Sequence, residues 1–139
     1  MAVVTVTETL QTKGRDECVD ITRAVQEAVR RAKIRQGQAT VFITGSTAGV
    51  TTIEYEPGLV RDLQEAVRRL FPEDVRYAHH DTGGDDNGFS HLRASFIGPS
   101  LTVPVVEGRL QLGTWQQIVV IDFDVRPRAR TFVIQLLGE

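Results

Sequence analysis

The sequence predicts an α+β fold: one compact domain over residues 1–139, with a mostly antiparallel sheet of six to seven strands and two or three helices. Three observations carry this. An alternating segment opens the chain, two stretches with a helical period follow, and short apolar runs separated by turn residues crowd the C-terminal part. A chain of 139 residues suits a single core that folds without disulfide or metal staples.

Ala2 to Leu10 alternates Val3, Thr5 and Thr7 with Val4, Val6 and Glu8, the period of a strand with one wet face. Lys13-Gly14-Arg15-Asp16 is a turn. From Asp20 the period changes: Ile21, Val25, Ala28, Val29 and Ala32 fall on one helical face and Arg23, Glu27, Arg30 and Arg31 on the other. Asp20 suits the N-cap and Gly37 the stop. Ala39 to Ile43 is a short strand, followed by a Thr-rich segment from Thr44 to Glu56. Pro57 opens a second helix whose stripe of Leu59, Leu63, Ala66, Val67 and Leu70 is expected to be buried, and Pro72 closes it.

Asp74 to Gly88 has no apolar periodicity and reads as a long polar loop. Ser90 is expected to cap a short third helix in which Leu92 and Phe96 share a face before Gly98-Pro99 ends it. Leu101 to Val106, Arg109 to Leu112, Trp115 to Asp124 and Arg130 to Leu137 read as four strands, with Gly108 and Pro127 at turns. Ile118 to Ile121 is an uninterrupted apolar run, which predicts burial on both faces.

Composition narrows the function classes. Sixteen basic against eighteen acidic residues give a net charge of −2, against a partner held by phosphate neutralisation along a nucleic acid. The lone Cys18 cannot form an internal disulfide, no apolar run approaches the ~18 residues of a membrane span, and the N-terminal alternation is unlike a signal peptide. A cytoplasmic protein without membrane or nucleic-acid partners is the expectation.

Several clusters could carry chemistry. His79, His80 and His91 fall close together among Asp81, Asp85 and Asp86, the ligand types of Zn and similar divalent ions, although their spacing matches no short zinc motif. A solvated acidic loop is the plain alternative. Asp85-Asp86-Asn87-Gly88-Phe89-Ser90-His91 sets side-chain oxygens beside the free N–H groups of a helix start, which suits a phosphate or carboxylate, or simply makes a turn and a cap. Between strand and helix, Thr44 to Glu54 offers small hydroxyls but lacks the lysine and glycine spacing of a P-loop. Glu54 and Glu56 share one face of an extended segment, as an acid/base pair or a charged face. Arg126, Arg128 and Arg130 alternate into the last strand, as a phosphate-binding edge or a guard against edge pairing.

Read in order, Ser46-Thr47-Ala48, Glu54-Tyr55-Glu56-Pro57-Gly58-Leu59 with Asp62-Leu63, Tyr77-Ala78-His79, Asp86-Asn87-Gly88 with Ser90-His91-Leu92, Pro99-Ser100 with Pro104-Val105, and Leu112-Gly113-Thr114-Trp115-Gln116 resemble the YjbQ family, also called the secondary thiamine-phosphate synthase family. The resemblance implies a compact α+β fold assembled as a homotrimer, with polar sites near subunit boundaries. It also implies an activity, the joining of a pyrimidine diphosphate to a thiazole phosphate.

For an enzyme acting on a small phosphorylated heterocycle, the residues that fit as catalytic groups are Glu54, Asp86 and His91. Ser46, Thr47, Asn87, Gly88, Ser90, Arg128 and Arg130 would bind a small phosphorylated or anionic ligand. His79, His80 and His91 would hold a divalent metal, Zn or Mg. The chain departs from the family pattern at Gly45 and Phe89, where His is common, so a site at Gly45 would rely more on oxygen donors and favour hard ions. The alternative function is a non-catalytic oligomeric protein that binds a metal or an anionic metabolite; turnover by purified protein separates the two.

Overall fold

The computed structural model describes residues 1–139, with eight strands and four helices: β1 (Ala2–Thr12), β2 (Glu17–Asp20), α1 (Thr22–Ala32), β3 (Gln36–Thr44), β4 (Ala48–Ile53), α2 (Pro57–Leu70), α3 (His79–Thr82), α4 (Gly88–Ile97), β5 (Ser100–Val106), β6 (Arg109–Leu110), β7 (Gln117–Asp122) and β8 (Arg128–Gly138). The α+β class holds, with one strand more than the upper expectation. Two antiparallel sheets form, ordered β1-β8-β3-β5-β6 and β2-β7-β4.

The three-stranded sheet is the middle layer, and β7 shows why. Ile118 and Val120 point into the main core with Val25, Val29, Val41, Ile43 and Ile134, contributed by α1 and the five-stranded sheet. Val119 and Ile121 point the other way, against Cys18, Val67, Ala94 and Phe123, where α2 and α4 pack. The period-2 alternation of the run thus feeds two cores at once, and all four side chains are at most 1% exposed. Burying each is worth about 1.5–3 kcal/mol, which makes β7 the strand least tolerant of a polar substitution.

Several expected boundaries shift for identifiable reasons. The Thr-rich segment contains β4, and the turn residues before α1 continue into β2. Helix α1 starts at Thr22, not just after Asp20; the Asp20 carboxylate still accepts the Thr22 N–H at 2.9 Å. Its stop is Lys33, which takes the left-handed conformation (φ 59°) and returns its N–H to Arg30. Gly37 is a strand residue, needed because a Cβ there would sit 2.1 Å from the Leu137 carbonyl oxygen.

Helix α2 begins with Pro57 at its first turn as expected, and the Glu56 carboxylate accepts the N–H groups of Gly58 and Leu59, both at 2.9 Å. Its stripe is less covered than expected: Val67 alone is buried, while Leu70 is 71% exposed. The polar loop from Asp74 is interrupted by the single turn of α3. Ser90 does not cap α4; Asn87 takes that position, and the helix begins at Gly88. That start turns Phe89, Ser90, Arg93 and Ala94 inward and leaves Leu92 and Phe96 outward, Phe96 at 75% exposure. No helix is long and apolar enough to cross a membrane.

Candidate functional site

The chain leaves β7 at Asp122, crosses from one sheet to the other, and enters β8 at Arg128. This crossing builds the floor of a cleft of about 480 Å³. Asp122 is fully buried and held by Arg130, whose Nε and Nη2 each donate to it at 2.8 Å, by the Thr12 hydroxyl, and by the Asp124 N–H at 2.9 Å. Arg130 Nη2 also donates to the Thr47 hydroxyl at 2.6 Å, which in turn donates to Asp124 at 3.1 Å.

Asp124 is the hub. Its carboxylate accepts Arg128 Nη1 at 2.7 Å, the Val125 N–H at 2.8 Å, Thr47 and the Asn87 amide at 3.4 Å. Burial alone would raise its pKa, but the hydrogen bonds from Arg128, Val125, Asn87 and Thr47 outweigh it and hold the value at about 2. Asp122 is lowered too: burial opposes ionisation, and bonds from Arg130 and Thr12 overcome it. Both carboxylates are therefore fixed anions whose charges Arg130 and Arg128 match, which leaves the floor near neutrality.

Arg15 and Asp16 close one side by taking left-handed conformations (φ 52° and 69°) and giving their N–H groups to the carbonyls of Asp124 and Asp122. The first sends its guanidinium towards Glu73 at the rim, 3.7 Å away, and the second buries its carboxylate on Arg93 and Arg68. The opposite wall is the start of α4, with Asp85, Asp86, Asn87 and His91.

Of the residues predicted from sequence, the cleft gathers Ser46, Thr47, Asp86, Asn87, His91 and Arg128. His79 joins through His91, ring centroids 4.7 Å apart and edge to face. His80 turns elsewhere: its Nε2 accepts the Gly88 N–H at 3.4 Å and its ring meets Tyr77. Two imidazoles meet, and no group of three His, Cys, Asp or Glu side chains is placed to hold an ion. Arg130 lies beneath the cleft at 2% exposure, not on an exposed edge. Glu54 is exposed beyond the end of β4 and does not line the cleft, while Glu56 is engaged as the α2 cap. Gly88 is buried at the first turn of α4.

Three buried polar side-chain atoms have no hydrogen-bond partner, and all lie at this end of the molecule: His79 Nε2, Asn87 Oδ1 and Ser90 Oγ. Buried polar groups are nearly always bonded, so these three are exceptions, and of them only Asn87 lines the cleft. The departures at Gly45 and Phe89 are also explained. Phe89 is buried with the Arg93 guanidinium 4.8 Å from its ring centre, and Gly45 has φ 141° with Arg130 Nη1 2.8 Å from where a Cβ would be. A His at 45 would need a different backbone there and a displaced Arg130.

Sequence reasoning missed Arg15, Glu73 and Asp124, while Asp85 and Arg126, named among the candidate clusters, do line the cleft. A usable signal was present in Asp122-Phe123-Asp124 followed by Arg128-Ala129-Arg130, two acids and two bases at matching spacing around one turn.

Comparison with known proteins agrees over nearly the whole chain. The family model described as "UPF0047 protein YjbQ-like" matches residues 6–139. A UPF0047 protein of Methanothermobacter thermautotrophicus is 37% identical over 139 residues, covering 100% of this chain and 95% of its own. The UPF0047 protein YugU of Bacillus subtilis is 35% identical over 130 residues, covering 93% and 96%. Among solved structures, a hypothetical protein of Aeropyrum pernix K1 superposes with a TM-score of 0.91 at 35% identity, covering 98% of this chain and 99% of that one. A YbjQ-like protein of unknown function from Sulfolobus solfataricus gives 0.89 at 30% identity, covering 99% and 100%.

Proposed function

Because the chain belongs to the YjbQ-like UPF0047 family, we propose that it is a small-molecule enzyme of the secondary thiamine-phosphate synthase kind, joining a pyrimidine diphosphate to a thiazole phosphate in the cleft between the β7–β8 crossing and α4. The observation that carries this reading is a single cleft lined by Arg15, Arg126 and Arg128 together with His91 and Asn87, whose Oδ1 has no partner in the protein. Guanidiniums are the donors a diphosphate requires.

In the reaction the bond from the pyrimidine methylene carbon to the diphosphate oxygen breaks, and the oxygen leaves with the electron pair as inorganic diphosphate. The thiazole nitrogen then forms the new bond to that carbon. Catalysis consists of meeting the charge that develops on the leaving oxygen, a role for Arg126 and Arg128. Asp124 fixes Arg128 and Asn87 in advance, so little reorganisation is left for the reacting step. His91 stands at the wall as proton donor or acceptor to the ligand, and Asp86 as its acidic neighbour.

A divalent metal would add charge neutralisation of the diphosphate; His79 and His91 offer two of the roughly three ligands a catalytic Zn site uses. No step requires it. We extend the reading to a homotrimer, which would cover the outward apolar side chains Leu70, Phe96 and Trp115, at 71%, 75% and 72% exposure, and bring Glu54 to a subunit boundary.

The test is direct. Purified protein is incubated with the pyrimidine diphosphate and the thiazole phosphate, and thiamine phosphate and inorganic diphosphate are both quantified. Equimolar products, lost in Arg128→Ala, support the assignment. Ligand binding without any turnover, with or without Zn or Mg, would leave the non-catalytic binding protein as the reading.

A further inference from the structure

A guanidinium carries five N–H donors: one on Nε and two on each terminal nitrogen. In Arg130, Nε and Nη2 make three bonds, two to Asp122 and one to Thr47. Nη1 makes none to the protein. The side chain is 2% exposed, yet Nη1 is not among the sealed polar atoms without partners, so this unbonded corner reaches the surface.

It reaches it at Gly45. That residue is exposed, lies in the bend between β3 and β4, and has φ 141°. Around the position of its missing Cβ, the atoms within 4 Å from beyond the adjoining residues are Arg130 Nη1, at 2.8 Å, and Arg130 Cζ, at 3.9 Å. The glycine is therefore a window, open to solvent on one side and floored by two unused donors on the other. Ser46 and Thr47, the next two residues, already belong to the cleft wall.

We infer that the Gly45 window is an oxyanion subsite, in which a carboxylate or phosphate oxygen of the bound ligand accepts from Arg130 Nη1 in the space a side chain would occupy. The inference deepens the cleft reading and rests on it for which ligand is extended this far. Because Asp122 already balances the Arg130 charge, the window selects by donor geometry, and a ligand anchored in the cleft gains this contact in addition.

The experiment reads Arg130 in the unaltered protein. Guanidinium 15N–1H resonances are followed during titration with sodium phosphate or sodium acetate, against sodium chloride at matched ionic strength. A saturable shift of Arg130 Nη1 with both, larger than that of its Nε, supports an oxyanion subsite; response to phosphate alone or acetate alone supports it and identifies the group. No Arg130 shift while Arg128 and His91 respond overturns the window and leaves the cleft reading standing. Silence at Arg130, Arg128 and His91 overturns both. Gly45→Ala is the second arm: a Cβ in the window should reduce the Arg130 response at least tenfold, with retained circular dichroism showing that the fold survived. An undiminished response in folded Gly45→Ala overturns the inference.

Discussion

Replacing Asp124 by Asn isolates the hub of the cleft floor. The carboxylate is held at about 2 against an ordinary 3.8 because its hydrogen bonds from Arg128, Val125, Asn87 and Thr47 together outweigh the cost of burial. A depressed carboxylate stabilises the fold above its unfolded value and stops doing so as pH falls through the folded one. The gap corresponds to about 2.4 kcal/mol at pH 7, about 1.3 at pH 3 and about 0.4 at pH 2. Asp124→Asn should therefore be less stable by roughly 2 to 3 kcal/mol at pH 7, the range for leaving Arg128 beside a neutral amide. The difference from the original protein should shrink steadily between pH 4 and pH 2. Urea unfolding at fixed protein concentration, followed by far-ultraviolet circular dichroism, measures this; Trp115 is 72% exposed and a poor reporter. Asp122 also titrates low, but it is common to both proteins and cancels in the difference. Stability curves that stay parallel from pH 5 to pH 2 would refute the assignment of Asp124 as a matched anion.

Other perturbations separate binding from folding. Ser90→Ala removes a buried hydroxyl that bonds to nothing in the protein, so its melting temperature should stay level or rise; a marked loss of stability would show that the hydroxyl is satisfied. Gly37→Ala forces a Cβ to within 2.1 Å of the Leu137 carbonyl oxygen and should cost at least about 3 kcal/mol, or abolish soluble expression. His91→Ala should weaken Zn binding by at least about tenfold and leave Mg binding nearly unchanged, as measured by calorimetry, because imidazole matters to the softer ion. Light scattering should give three times the chain mass, and a monomer at micromolar concentration would remove the trimer.

The fold was legible where one periodicity had one cause. β7 could be read from Ile118 to Ile121 because an apolar run without alternation has few uses other than burial on both faces, and the two clusters that divide these side chains confirm it. Helix ends were less legible. A glycine after a helix suggests a stop, yet Gly37 is dictated by the backbone of β8 lying against it, a contact more than ninety residues away in sequence, while Lys33 ends α1 from a conformation that nothing in its side chain advertises. Ser90 looked like a cap because caps and buried first-turn hydroxyls use the same residue type.

The site was half legible for a related reason. Asp86 and Asn87 lie in a polar segment without periodicity, with His91 just beyond it, and residues with no part in a core stand out. Asp122 and Asp124 were hidden by the strand they close, since an acid at the end of a strand is an ordinary surface feature, and Arg130 was legible as an anion binder but not as the buried partner of Asp122. Their meaning depends on the chain changing sheets between β7 and β8, which places Asp122 against Arg130 and Asp124 against Arg128 below the surface. Such nested pairing is a poor way to add stability, because desolvating both charges offsets most of their attraction. What it does supply is position: the Thr47 hydroxyl, the Asn87 amide and Arg128 all take their places from these two carboxylates. A pair of acids matched by a pair of arginines across a turn is then better read as the frame of a site than as a device of the strand edge, and in this chain the frame lies under the cleft that Asn87, His91 and Arg128 line.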